Sequence, residues 1–101
     1  LELTKAYPRS VVVGCSGAGE IHGTSVRDRS LSVTVTRFDK TDLSLAWLEV
    51  ASAADSFAVG QSLAKKLLVR PALRGVLVLS EGLHVNGSEL VRGLFGTLRR
   101  R

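Results

Sequence analysis

The chain is poor in the residues that most often announce a function. It has one cysteine, Cys15, and therefore no disulfide framework of its own. That fits a reducing, cytoplasmic setting. No CxxC pair exists, and Cys15, His22 and His84 lack the spacing of a structural zinc site. Two histidines name no cofactor. The apolar runs are only a few residues long, so no membrane span is expected. The opening Leu1-Glu2-Leu3-Thr4-Lys5 lacks the charged start and apolar centre of a signal peptide. Methionine is absent, which suggests a piece excised from something longer. Tyr7, Phe38, Trp47, Phe57 and Phe95 are the whole aromatic content, so aliphatic side chains must do most of the packing.

What is present fits one modest domain over residues 1–101, with 45% hydrophobic residues. The net charge of +5 lies entirely in the second half. Arg99-Arg100-Arg101 is part of it. No aromatic residues interleave with these cations as base stacking requires, so no nucleic-acid partner is expected. A solvated helix end, where cations suit the dipole, is the simpler reading.

The pattern along the chain predicts an α/β fold: a mixed β-sheet of about four strands with two main helices, in the order strand, hairpin, helix, strand, helix. Residues 1–6 read as the tail of a helix stopped by Tyr7-Pro8. Residues 10–14 read as a first strand, and 15–30 as a long loop rich in Gly and Ser. Leu31, Val33 and Val35 alternate with Ser32, Thr34 and Thr36, the period of a half-buried strand. Asp39-Lys40-Thr41-Asp42 has turn chemistry, and 43–50 would complete the hairpin. Ser52 and Asp55 have capping-box spacing before a helix running to about Val69, stopped by Pro71. Its small residues Gly60 and Ala64 suggest close packing on the sheet. Residues 75–80 are uniformly apolar and read as a central, doubly covered strand. Asn86 or Ser88 would cap the last helix, whose apolar face is Leu90, Val91, Leu94, Phe95 and Leu98.

Two small-residue loops, 14–20 and 81–88, follow apolar strands and are the candidate sites. Ligands of open α/β sheets gather at such rims. If the two strands were neighbours, Cys15, Ser16, Glu20, His22, Glu81, His84 and Asn86 would surround one crevice. The first loop fails the P-loop pattern, because no Lys-Ser/Thr follows, and it opens no helix as a dinucleotide fingerprint would. A nest of backbone N–H groups remains open to it. Cys15 reads either as a nucleophile paired with a histidine or, more simply, as a small buried hydrophobe. Glu20 and Glu81 read either as an acid/base pair or as caps on backbone amides. Gly82 and Gly87 read either as points of close ligand approach or, more simply, as turn residues with positive φ.

Taken together, VVVGCSGAGEIHG, SLSVTVTRFD and VLVLSEGLHVNGSELVRGL resemble the N-terminal domain of FIST proteins, named for F-box and intracellular signal transduction proteins. Gly14, Cys15, Ser16, Ala18, Gly19, Glu20 and Ile21 match the first family motif. Gly82, Leu83, Asn86 and Gly87 match the second. Gly17 stands where the family often has Thr. The resemblance implies a non-enzymatic cytoplasmic sensory module that binds a small ligand, an amino acid or a related polar molecule. It implies ligand contacts from Gly14, Cys15, Ser16, Gly17, Ala18, Gly19, Glu20, Glu81, Gly82, His84 and Asn86. The implied partners are a FIST C-terminal domain and an output domain such as a histidine kinase or a cyclic-dinucleotide enzyme. Direct membrane contact is not implied. The family's N-terminal region is longer than this chain, so a truncated domain with an exposed sheet edge is expected, and such an edge favours homo-oligomers. Two other readings stay open: a protein-interaction scaffold, and an enzyme with Cys15 as nucleophile.

Overall fold

A computed structural model describes residues 2–99. The chain divides into two compact units, Leu1–Leu43 and Ser44–Arg101.

In the first unit, α1 (Glu2–Ala6) is a single helical turn and a half. It closes with the Tyr7 N–H donating to the Leu3 carbonyl at 2.9 Å, immediately before Pro8, where the chain must leave the helical region. An antiparallel hairpin follows, β1 (Glu20–His22) and β2 (Ser25–Arg27). Its register pairs Glu20 with Arg27, Ile21 with Val26 and His22 with Ser25. Gly23 and Thr24 form the two-residue turn. Gly23 has φ +60°, which a hairpin turn asks of its first central residue and which glycine adopts without a side-chain clash.

The second unit is a helical pair. A 3₁₀ turn (Ala53–Asp55) leads into α2 (Ser56–Leu67), and α3 (Gly87–Leu98) packs against it. Ala64, Leu67, Leu90 and Leu94 are the buried apolar core, and Ser56 is buried with them. Backbones approach closely here. A Cβ added at Gly60 would overlap the Leu90 carbonyl oxygen and sit 2.8 Å from Leu94 N. One added at Gly93 would overlap the Phe57 carbonyl oxygen and sit 3.2 Å from Gln61 N. Each helix thus uses a glycine to admit the other's main chain. Arg92 reinforces the contact, its guanidinium 4.9 Å from the centre of the Phe57 ring.

Several expectations need correction. Among the described residues the hydrogen-bonded strands are β1 and β2, a sheet of two rather than about four. The segments 10–14, 31–36, 43–50 and 75–80 form no ladder. Leu31, Val35 and Leu77 are exposed at 79%, 65% and 82%, so 75–80 is not a doubly covered strand. The physical reason is that alternation states which face a strand would bury but supplies no partner backbone. The ladder that forms closes over two residues, where the entropy of loop closure is least. It lies inside the segment 15–30 read as loop. The small face of α2 packs on α3, not on a sheet, because the residues complementary to Gly60 are helix backbone. Ser52 and Asp55 bond to each other, hydroxyl to carboxylate at 2.9 Å, and not to an amide. The hydroxyl donates its proton to the carboxylate in a charge-assisted bond.

Two neighbouring glycines of α3 should respond oppositely to alanine. Gly93→Ala should lower stability by about 1–3 kcal/mol through overpacking. Gly96→Ala, whose Cβ meets nothing within 4 Å, should raise it by up to about 1 kcal/mol. Urea denaturation of both variants checks the pair.

Candidate functional site

The two loops expected to share a rim belong to different units, and each builds a site of its own kind. In the first unit the hairpin alternates. Glu20, His22, Ser25 and Arg27 share one face, while Ile21 and Val26 lie on the other, exposed at 71% and 70%. The polar face lines a groove of about 480 Å³, with Ser30 and Leu31 beside it. Glu20 is half-buried at its edge, and its Oε2 accepts from the Ser30 N–H at 3.2 Å and from the Ser30 hydroxyl. Arg29 precedes that contact with φ 51°, a left-handed conformation uncommon for a side chain of its size. It turns the chain so that Ser30 reaches back across the hairpin. Glu20 and Arg27 face each other across the strands. Among the described residues the salt bridges are Glu89–Arg92 and the Glu81–His84 contact, which is ionic only with a protonated imidazole, so Glu20 and Arg27 do not pair with each other.

The loop before the hairpin ends close to this groove. A Cβ at Gly17 would lie 3.9 Å from Glu20 Oε1, and one at Gly19 would lie 3.2 Å from Asp28 Oδ1. Gly14 has open space around it, and Ser16 and Ala18 are exposed. Cys15 is a free, exposed thiol, which corrects its reading as a small buried hydrophobe.

In the second unit the Glu81 carboxylate organises its loop. It accepts from Leu83 N at 2.9 Å and from His84 N at 2.6 Å, and lies 3.3 Å from His84 Nδ1. The His84 amide foremost, with the Leu83 amide and the imidazole, holds the Glu81 carboxyl below the usual glutamate range, against a smaller opposing effect of desolvation. Asn86 is the N-cap of α3, its Oδ1 accepting from Glu89 N at 3.2 Å. Its own N–H donates to the Oγ of buried Ser56 at 2.9 Å, which fixes the loop to the first residue of α2. The carboxylate and the amide of this motif therefore fold the loop. Glu81 and His84 line a groove of about 330 Å³ whose walls include Val59, Leu63, Val78 and Leu90. Gly82 and Gly87 do not have positive φ and have open space around them, so neither works as a turn glycine. Gly87 is instead the first residue of α3.

Sequence reasoning missed Ser25, Arg27 and Ser30. The available signal was Ile21-His22-Gly23-Thr24-Ser25-Val26, a glycine-led two-residue turn between β-branched residues. At the other end of the chain Arg99 caps α3, with its guanidinium 5.3 Å from the Phe95 ring, as the helix-end reading expects. Arg100 and Arg101 lie outside the described residues. No helix is long and apolar enough to cross a membrane among the described residues.

These features define a small module of helices and a strand pair, with polar loops at its grooves. The FIST N domain family matches residues 1–100, and the chain belongs to that family. Comparison with curated proteins and with solved structures gave no match. The family places the chain among signal-transduction-associated domains.

Two measurements test the loop. Asn86→Ala should cost about 1 kcal/mol by removing the cap, read by thermal unfolding. A depressed carboxyl adds its stabilisation above the unfolded-state value and loses it as the pH falls through the folded one. The His84 amide resonance should therefore titrate below the ordinary glutamate range and stop doing so in Glu81→Gln.

Proposed function

We propose that the chain is a non-enzymatic, ligand-binding sensory domain of a cytoplasmic signal transduction protein. Its ligand is an amino acid or a related small polar molecule. The observation that supports this reading is the polar face of the hairpin. There an anionic Glu20 and a cationic Arg27 stand opposite each other at a groove without pairing. A ligand with an ammonium at one end and a carboxylate at the other meets both charges, and a bidentate guanidinium suits the carboxylate. The first loop, Gly14, Cys15, Ser16, Gly17, Ala18 and Gly19, belongs to the proposed site and would offer polar backbone to the ligand. The signal would pass to a FIST C-terminal domain and an output domain such as a histidine kinase or a cyclic-dinucleotide enzyme, within a monomer or a homo-oligomer.

A second reading, a protein-interaction scaffold, is favoured by a different observation. Trp47, Leu77 and Leu83 are large apolar side chains exposed at 70%, 82% and 88%, the kind of surface that a partner protein covers.

A thermal-shift screen against amino acids, small carboxylates and nucleotides separates the two. A ligand of the native state must raise the midpoint. The sensor reading expects a rise with an amino acid that is lost in both Glu20→Gln and Arg27→Ala. No rise with any compound, or a rise that both variants retain, would contradict it.

A further inference from the structure

The groove of the helical unit has a chemistry opposite to that of the hairpin. Its walls are largely aliphatic: Leu48, Val50, Val59, Leu63 and Val78 line it together with the buried Leu90. No lysine or arginine lines it, and the formal charge at its rim is the Glu81 carboxylate. That carboxylate is pre-organised. Two backbone N–H groups and an imidazole hold it in place, at no cost to a ligand. Its Oε2 accepts from the His84 N–H, and an ionised carboxylate oxygen has room for a further donor. At about 330 Å³ the space is at the small end of ligand sites.

We infer that this groove is a second site, for a short primary aliphatic ammonium ion, with the alkyl chain against Val59, Leu63 and Leu90 and the ammonium on Glu81. The inference is independent of the hairpin site, which needs charges of both signs. Here a carboxylate on the ligand would meet Glu81 with no lysine or arginine to offset it, so amino acids are disfavoured and simple amines preferred. The alkyl chain supplies most of the affinity, because aliphatic carbon leaves water for an aliphatic wall. The carboxylate supplies the choice of charge.

The test is a titration of the chain with n-hexylammonium, with hexanoate as the isosteric anion, followed by amide and methyl NMR. The expected result is saturable shifts at the Leu83 and His84 amides and the Leu63 and Leu90 methyls with the amine, and none with hexanoate. Glu81→Gln should bind the amine about fivefold more weakly, the scale of a half-exposed charge pair. Val78→Lys places a cation in the wall at a position already 38% exposed, and should abolish amine binding while α2 and α3 keep their resonances. Equal shifts with hexanoate, shifts confined to other residues, or unchanged affinity in both variants would overturn the site. Loss of amino-acid binding in Glu20→Gln leaves this result untouched, so the two readings fail separately.

Discussion

The second unit rests on an exchange of backbone between α2 and α3. Gly60 lies against the main chain of Leu90 and Leu94, and Gly93 lies against that of Phe57. Such contact has no tolerance for an added carbon, because backbone atoms cannot swing aside as a side chain does. It draws Ala64, Leu67, Leu90 and Leu94 into one core, which is small for the length of chain it must order. Ser56 is the polar member of that core. Its hydroxyl receives the Asn86 amide, so the helix contact also sets where the preceding loop begins.

From that anchor the loop geometry follows in steps. Asn86 caps α3, Glu81 gathers the amides of Leu83 and His84, and the carboxylate ends at the rim of an aliphatic groove. The hairpin of the first unit solves a similar problem with other means. Gly23 closes the turn, Arg29 bends the return, and Ser30 ties it to Glu20. In both units an acid is spent partly on folding its own loop. What remains is an oriented carboxylate beside a groove, with a cation opposite it in one unit and aliphatic carbon in the other.

The helices were legible in the sequence because their signals are local. Pro8 and Pro71 bound α1 and α2, Asn86 is a good cap, and Leu90, Leu94 and Leu98 repeat at helical spacing. The family was legible from its two loop motifs. The strands were not, because a ladder is a property of two segments. Leu31, Val33 and Val35 alternate as a strand should, yet nothing in that pattern chooses a partner. The hairpin that does form has strands of three residues, too short for alternation to register. The stripe Gly60–Ala64 announced a close approach without saying to what. Glu81 as an acceptor of backbone amides and Asn86 as the cap of α3 were legible too, because each bond spans only two or three residues.

Amide hydrogen exchange tests most directly whether the helix contact anchors the loop. The Asn86 N–H, bonded to a buried hydroxyl outside any helix, should exchange as slowly as the core amides of α2 and α3 and open with them as one unit. Exchange of Asn86 at the rate of an unprotected peptide, with both helices still protected, would contradict the account.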